Sequence, residues 1–432
     1  MTDIYEIAEY TLEALKKSGA DAAQCIVSKS KKDELNVDGG KFSLMRSTFN
    51  TSISMKAIKD GKKGVTSINQ ATKEAIDEAT DQCISAAQSS VPDEAEQIAS
   101  FTAKAEYKTG VFEPELDKLF DRIEEFMSQT AAEYPKIILE QLISDYEHSE
   151  KLYMNTNGTS LKYEHGEYSF NTMFSAHEGE KASSFNGYFC ALDSLDKPFM
   201  DAGMQRQLLD ESEKQLDTVS PSEKFVGRVI YSPDCFNELL QTALENFASS
   251  GVLIDGTSPW KDALNTKVAS EKLNLRSVPL DGRTVVGQRF TSDGYPVEDM
   301  DIIIDGVLKT FILSQYGANK TGFPRSLNSG NNLEVLPGNK ALEEMISGID
   351  RGLIVNRFSG GQPSSNGDFS GVAKNSFLIE NGKVVSAVSE TMISGNIIDM
   401  LNNIVAVSKE QTTDGLSFMP WAEFDGVTVS GK

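Results

Sequence analysis

Histidine and cysteine are the side chains that most often bind metals or act as nucleophiles, and both are scarce in this sequence. The histidines and cysteines are His148, His165, His177, Cys25, Cys83, Cys190 and Cys235. The absence of any Cys-x-x-Cys pair excludes a zinc ribbon and a dithiol redox motif. We expect the cysteines to be small buried hydrophobic residues in a reducing compartment. Any mechanism that needs a histidine base must use one of three positions.

Two of the histidines lie beside carboxylates and are weak candidates for a metal site. His165 stands between Glu164 and Glu167, and His177 precedes Glu178. Imidazole and carboxylate groups are zinc ligands, so His165, His177 and Glu178 could hold a metal together. Their spacing matches no metal-binding motif, and the simpler interpretation is two histidines close to turns on exposed hairpins.

A glycine-rich segment, residues 359–371, is the other candidate for binding. Its backbone N–H groups could bind a peptide or an anion, and the alternative is a long flexible connection within a β domain. The candidate residues of this possible peptide-binding loop are Gly360, Gly361, Gln362, Gly367, Asp368 and Gly371. The sequence contains no dinucleotide-binding glycine motif after a strand, no P-loop and no Gly-x-Ser-x-Gly elbow, so nucleotide binding and serine hydrolysis lack support.

The overall charge excludes some classes of partner. The 432 residues include 41 Lys and Arg against 64 Asp and Glu, a formal charge of −23, which opposes direct binding of nucleic acid. The basic segment 29–32 and His148 are interpreted as solvated strand ends. No run approaches the ~18 apolar residues of a membrane span, and the acidic start does not resemble a signal peptide. We therefore expect a cytoplasmic protein that contacts no membrane.

Hydrophobic periodicity and turn residues predict an α+β fold with three regions. Residues 1–92 form an N-terminal α/β-sandwich unit, in which strands are predicted at residues 23–28 and 35–37. Residues 110–217 form a central antiparallel section with flanking helices, in which strands are predicted at residues 137–143 and 152–155. Residues 222–432 form a β-rich C-terminal domain. Asp60-Gly61 and Asn157-Gly158 predict tight hairpin turns.

One helix of the C-terminal region has clear sequence signals. Ser232 is expected to be its N-cap and Pro233 its first residue. An apolar stripe at helical spacing is expected to pack in the core, and it consists of Phe236, Leu239, Leu240, Ala243, Leu244 and Phe247.

The order of these segments resembles the PmbA/TldE branch of the TldD/PmbA family, once described as modulators of DNA gyrase. The residues that carry the resemblance are segments 60–67, 228–233, 304–309, 360–370 and 393–401. The similarity covers essentially the whole chain. Each motif is weak alone, but their order and spacing are fairly specific.

The resemblance has an implication for catalysis. In the active TldD-type branch, the helix described above carries His-Glu-x-x-x-His, whose histidines bind a metal, and a later cysteine completes the site. The glutamate of this motif is the catalytic base of that branch. In this chain, Gln241 and Asn246 replace the two histidines, Thr242 replaces the glutamate, and no cysteine follows Cys235. Neutral amides are poor zinc ligands, and a threonine cannot act as a carboxylate base.

The resemblance therefore implies a non-catalytic subunit without a cofactor of its own. It would pair with a TldD-like metalloprotease subunit that carries zinc, and help to degrade or trim unfolded peptides. A homodimer is also plausible, because the family's complexes are built from dimers of this fold. Two alternatives remain open: a metallopeptidase with a different centre at His165 and His177, or a module that holds extended peptides at a sheet edge and the glycine-rich loop without cleaving them.

Overall fold

The computed structural model describes residues 1–361 and 363–431, and shows an α+β fold, as predicted. The helices are α1 (Ile4–Lys17), α2 (Lys73–Ser89), α3 (Leu116–Glu133), α4 (Gln205–Lys214), α5 (Pro233–Ala248), α6 (Ser250–Ile254), α7 (Gln315–Thr321), α8 (Leu342–Ser347) and α9 (Ile397–Asn402).

The strands form two large sheets. Those of the first sheet are β1 (Ala22–Asp38), β2 (Lys41–Lys59), β3 (Lys62–Ile68), β4 (Lys104–Gly110), β5 (Ile137–Asn155), β6 (Ser160–Glu178), β7 (Lys181–Ala182) and β8 (Asn186–Leu192). Those of the second sheet are β9 (Thr218–Val219), β10 (Phe225–Tyr231), β11 (Leu275–Ser277), β12 (Met300–Ile304), β13 (Val307–Leu308), β14 (Leu333–Val335), β15 (Arg351–Val355), β16 (Arg357–Gly360), β17 (Asp368–Lys374), β18 (Ser376–Glu380), β19 (Lys383–Val388), β20 (Thr391–Asn396), β21 (Ile404–Thr413) and β22 (Phe418–Ser430).

The first sheet joins the two regions predicted as residues 1–92 and 110–217. Its strand order is β3-β2-β1-β5-β6, and β4 and β8 pair with successive parts of β6. Because side chains alternate along a strand, each of these strands has two different faces. Helices α1, α2 and α3 pack on one face through residues such as Val27 and Leu35. The other face is turned toward the C-terminal half of the chain.

Two strands of this sheet are longer than the sequence predicts. The predicted strands 23–28 and 35–37 are one strand, β1, and those at 137–143 and 152–155 are one strand, β5. The basic segment 29–32 and His148 are therefore not strand ends, because they lie inside β1 and β5. Likewise, His165 is not on an exposed hairpin: it lies within β6 and is 2% exposed. Pairing on both sides keeps these polar segments in extended conformation.

The second sheet is built around the last strand, β22. This strand pairs with β10, β14, β20 and β21, and β10 in turn pairs with β15. Helix α5 packs on this sheet with its predicted apolar stripe buried, and it begins at Pro233 after Ser232, as the sequence predicts. The hairpin turns at Asp60-Gly61 and Asn157-Gly158 are also confirmed. Among the described residues, none of the helices combines the length and apolar composition that crossing a membrane requires.

Candidate functional site

A cleft of about 910 Å³ lies between the first sheet and helix α5. One wall consists of polar residues of β1, β2, β5 and β6, including Ser30, Asn50, Ser149 and Tyr163. The opposite wall consists of one side of α5 and of loops of the C-terminal half. We call these the sheet wall and the helix wall. The cleft is the candidate functional site, because binding sites are usually concave and often lie between structural units.

The sheet wall is assembled by strand register. Cross-strand neighbours on this face form three rows, Ser28–Lys151–Tyr163, Ser30–Ser149–His165 and Lys32–Glu147–Glu167. Each row contains one residue from β1, one from β5 and one from β6. The polar interruptions in the three strands therefore meet at one place and form a single surface.

Two ionisable side chains at the base of this wall have shifted pKa values. Burial, and to a lesser degree the charges of Glu147 and Asp145, raises the pKa of Glu167 to about 7. Burial lowers the pKa of His165, whose Nδ1 lies 3.1 Å from the Thr109 carbonyl oxygen. The His165 Nε2 atom lies 3.2 Å from Glu167 Oε2. Neither of these two atoms forms a hydrogen bond in the described structure, so an unsatisfied imidazole nitrogen and an unsatisfied carboxyl oxygen lie next to each other behind the surface of the cleft.

Lys151 of the sheet wall and Arg289 of a loop of the C-terminal half line the cleft, although the protein is strongly acidic. Burial lowers the pKa of Lys151, which has no salt bridge within the described part of the chain and lies 5.7 Å from the centre of the Phe290 ring. Arg289 donates to the Pro279 carbonyl at 2.5 Å and stacks 5.7 Å from the Tyr163 ring centre. These two groups can attract a carboxylate of a ligand.

The helix wall presents mainly uncharged side chains. Asn237, Gln241, Leu244 and Glu245 line the cleft, and Gln241 Nε2 donates to Asn237 Oδ1 at 3.4 Å. An α-helix turns by about 100° per residue, so positions 241 and 246 point about 140° apart. Accordingly, of the three aligned positions, Gln241 lines the cleft, whereas Thr242 and Asn246 do not.

The structure does not bring His165 and His177 together. They are twelve positions apart on β6, which corresponds to about 40 Å at ~3.3 Å per residue. His177 Nε2 lies 2.9 Å from Ser175 Oγ, and Glu178 forms a salt bridge with Lys136 at 2.9 Å. Across residues 1–361 and 363–431, no group of three or more His, Cys, Asp or Glu side chains is arranged to hold a metal ion.

The glycine-rich loop connects β16 to β17, and its described residues do not line this cleft. Gly360 and Gly371 lie opposite each other beneath the Phe358 ring, where an added Cβ atom would come within 2.6 and 2.4 Å of that ring. Asp368 accepts from Asn366 and Asn396, Gly367 has φ +92°, and Gly361 is exposed. Gln362 lies outside the described residues. The glycines at 360 and 371 thus have a packing explanation, and peptide binding by the loop stays a prediction.

Sequence reasoning missed the sheet wall, although a signal was present. Three strands each contain a polar interruption, a run of mainly polar residues, at residues 28–32, 147–151 and 163–167. These interruptions were interpreted as strand ends and hairpin turns. Their similar lengths could have indicated a shared polar surface, but only the pairing of β1, β5 and β6 shows that they are adjacent.

Comparisons with known proteins agree with this architecture. Residues 224–431 match the PmbA/TldA metallopeptidase C-terminal domain, and residues 23–87 match the PmbA/TldA metallopeptidase domain 1. The two segments together make up more than half of the chain. The chain is 25% identical over 283 residues to a metalloprotease PmbA homolog of Buchnera aphidicola, an alignment that covers 61% of this chain and 62% of that protein.

Two further relatives extend the comparison. The chain is 32% identical over 155 residues to the metalloprotease PmbA of Escherichia coli, an alignment that covers 35% of this chain and 34% of that protein. The chain thus spans less than two thirds of the length of either curated relative. TldE from Thermococcus kodakarensis has the same fold, with a TM-score of 0.81 and 22% identity over 98% of this chain and 100% of that one. From its two matching domains, we conclude that the chain belongs to the PmbA/TldD family.

Proposed function

We propose that this chain is a non-catalytic, cytoplasmic subunit that holds extended peptides in the cleft beside a TldD-like metalloprotease, which carries the zinc. The observation that carries the proposal is the chemistry of the helix wall. The family relatives are named metalloproteases, and one of them a zinc metalloprotease. On α5 of this chain, Asn237 and Gln241 face the cleft, and these amides can bond to a peptide backbone but are poor zinc ligands.

A free edge of the first sheet supports the binding of an extended chain. Strand β3 pairs only with residues 53–59 of β2, so within the described chain residues 41–52 have no strand on their outer side. Asn50, Thr51 and Ser52 at the end of this free edge line the cleft. Met45 and Phe49 on the same edge are 76% and 74% exposed. An unpaired strand edge of this kind can accept another strand, and here it leads into the cleft.

The polar groups of the cleft and the exposed edge of β2 suit the binding of a peptide and of another protein subunit better than the binding of a small hydrophilic substrate. Lys151 and Arg289 can attract a carboxylate, and the amides of α5 can bond to peptide groups on the other side. The exposed apolar side chains of the β2 edge suit a protein surface, whether that of a TldD-like subunit or of a second copy of this chain.

The proposal is tested by cleavage of an unstructured peptide. The purified chain is assayed alone and mixed with the TldD-like protein of the same cell, which is also assayed by itself. We expect no cleavage by this chain alone, and cleavage by the mixture beyond that of the TldD-like protein. Ser149→Trp places a large ring on the sheet wall, so it should reduce this additional activity by at least about tenfold, a loss of 1.4 kcal/mol or more.

Ser85→Trp is the matched control, because Ser85 is exposed on α2 and outside the cleft. It should leave the additional activity unchanged. Cleavage by this chain alone, in a preparation free of other peptidases, would contradict the non-catalytic role. Equal losses in the two variants would contradict the role of the cleft.

A further inference from the structure

Two cations that line the cleft have no charged partner. Lys151 is half-buried, and its ammonium group forms no hydrogen bond or salt bridge with a described residue. Arg289, also half-buried, uses its Nη1 atom on the carbonyl oxygens of Pro279 and Gln288, at 2.5 and 3.2 Å. Its Nε and Nη2 hydrogens have no acceptor within the described chain. Half-buried cations of this kind suit an anionic ligand, because the ligand supplies the missing charge.

The carboxylates that line the cleft do not supply this charge. Glu147 and Glu150 each form a salt bridge with a lysine of the first sheet, at 3.1 and 2.7 Å. Asp414 Oδ1 accepts from two backbone N–H groups, at 2.8 and 2.7 Å. Glu245 is exposed on the opposite, helix wall. Among the described residues, none of these carboxylates forms a salt bridge with either cation.

Tyr163 lies beside both cations. It is the cross-strand neighbour of Lys151, and the guanidinium carbon of Arg289 lies 5.7 Å from the centre of its ring. The Lys151 Nζ atom lies 5.7 Å from the ring centre of Phe290, the residue that follows Arg289. Cross-strand neighbours have Cβ atoms about 4.5–5.5 Å apart. The ammonium, guanidinium and phenol groups therefore belong to one region of the cleft.

A chain of hydrogen bonds connects His165 to Tyr163. His165 is 2% exposed, and its Nδ1 lies 3.1 Å from the Thr109 carbonyl oxygen and 2.8 Å from Thr109 Oγ1. Thr109 Oγ1 in turn lies 2.9 Å from the hydroxyl oxygen of Tyr163. Because a carbonyl oxygen can only accept, the hydrogen between it and His165 is on Nδ1.

The direction of this chain leaves the hydrogen of the Tyr163 hydroxyl free. Thr109 Oγ1 accepts from His165 Nδ1 and donates its own hydrogen to the Tyr163 oxygen. The Tyr163 hydroxyl keeps its hydrogen, and no other described residue accepts it. Since Tyr163 lines the cleft, this hydrogen is available to an acceptor of a ligand.

We propose that Lys151, Arg289 and Tyr163 form a subsite of the cleft that binds a carboxylate. His165 and Thr109 are positioning residues that orient the Tyr163 hydroxyl toward it. The two cations supply the charge, and the hydroxyl donates a hydrogen bond, which is stronger when its acceptor is charged. The carboxylate belongs either to the C-terminus of a peptide or to an acidic side chain. Only this identification of the ligand as a peptide rests on the function proposed above.

The test compares three forms of one unstructured, fluorescently labelled peptide. The first form has a free C-terminal carboxylate and no other acid, the second has a C-terminal amide, and the third has that amide and one internal glutamate. Binding to the full chain is measured by fluorescence anisotropy. At least one carboxylate form should bind about tenfold or more tightly than the plain amide, the factor that one charge-assisted hydrogen bond supplies. The form that does so identifies the source of the carboxylate, and equal affinities of all three would overturn the proposal.

Variants of the subsite test its members. Tyr163→Phe and Lys151→Met should each remove most of the preference for a carboxylate. Tyr107→Phe, at the neighbouring position of β4 and outside the cleft, and Lys104→Met, at an exposed position of β4, are the matched controls and should keep it. A preference that survives Tyr163→Phe would overturn the proposal. Thermal unfolding of each variant verifies its fold.

The positioning role of Thr109 is tested by two conservative variants. Thr109→Val removes the hydroxyl and should weaken carboxylate binding by at least about twofold, the lower limit for one neutral hydrogen bond. Thr109→Ser keeps the hydroxyl and should keep the affinity. In the Tyr163→Phe background, Thr109→Val should cause no further loss. Equal losses in the two variants, or a further loss in that background, would overturn the positioning role.

The orientation of the chain is tested by nitrogen NMR of labelled imidazole rings, which shows which ring nitrogen carries the hydrogen. His148→Gln with His177→Gln leaves His165 as the only histidine of the chain. We expect the hydrogen on Nδ1 of His165. A hydrogen on Nε2 alone would overturn the orientation proposed for Tyr163.

The subsite and the function proposed above can fail separately. A carboxylate preference without additional cleavage by the mixture supports the subsite and contradicts the accessory role. Additional cleavage without a carboxylate preference contradicts the subsite alone.

Discussion

The two walls of the cleft differ in the chemistry of the side chains that they carry. On the sheet wall and behind it lie Lys151, Glu147, His165 and Glu167, several of them with pKa values displaced by burial. On the helix wall lie the amides of Asn237 and Gln241, with Glu245 at the end. The side chains whose pKa values are displaced by burial thus lie on β5 and β6, whereas the motif positions that the family resemblance singles out lie on α5.

The difference teaches that α5 combines a structural face with a polar face. Its buried stripe packs in the C-terminal core, where Phe247 is fully buried and its ring centre lies 5.1 Å from that of Trp260. On its cleft face, Asn237, Gln241 and Glu245 are not part of this core. Substitutions on the two faces should therefore have separate consequences, and substitutions on the sheet wall should act through charge.

The largest expected effect separates the two faces of α5. Phe247→Ala should reduce the free energy of unfolding by about 3–5 kcal/mol, because it removes a buried ring and leaves a cavity. Gln241→Ala, on the cleft face, should change it by no more than about 0.5 kcal/mol. Urea denaturation of both variants measures the difference. Equal losses would show that the cleft face of α5 is also structural.

The second prediction concerns pH and the sheet wall. Because the pKa of Glu167 is raised to about 7 in the folded protein, the folded state binds more protons than the unfolded state between about pH 4.5 and 7. The stability contributed by this group is therefore present at low pH and lost as the pH rises through 7. Glu167→Gln should remove up to about 3 kcal/mol of this loss, measured by urea denaturation across that range. If the free energy of unfolding depends on pH equally in the variant and in the unmodified protein, the ionisation of Glu167 does not destabilise the folded state.

The smallest expected effect is at Lys151. Its half-buried ammonium group has no ion-pair partner in the described structure, so Lys151→Met should stabilise the fold by about 1 kcal/mol while it weakens binding of acidic peptides. Lys104→Met is the control at an exposed position of β4 and should give neither effect. Thermal unfolding and fluorescence anisotropy with a labelled acidic peptide measure the two quantities. A destabilised Lys151→Met variant would indicate that the charge stabilises the native state.

Local signals in the sequence predicted local structure well. Ser232 and Pro233 predicted the start of α5, its spacing predicted the buried stripe, and Asp60-Gly61 predicted a tight turn. These features depend on a few neighbouring residues. The order of the motifs predicted the family, which the matching domains confirm.

The cleft itself could not be predicted, because it depends on pairing between distant segments. Lys32 lies 3.4 Å from Asp145 and 3.1 Å from Glu147, more than one hundred residues along the chain. Without these partners, a lysine-rich segment resembles a solvated strand end. The burial of His165 could not be predicted for the same reason, because it depends on the pairing of β4 and β5 on either side of β6.

The position of β22 at the centre of the second sheet has a consequence for synthesis of the protein on the ribosome. The first sheet is complete once residue 192 has been made, whereas β10 gains its antiparallel partner only when residues 418–430 have emerged. At ~5–20 residues per second, that interval lasts on the order of 10–50 s. Until then, the edge of β10 that will pair with β22 is exposed, and chaperones can recognise it. Emergence of the thirteen residues of β22 therefore controls when the second sheet can be completed.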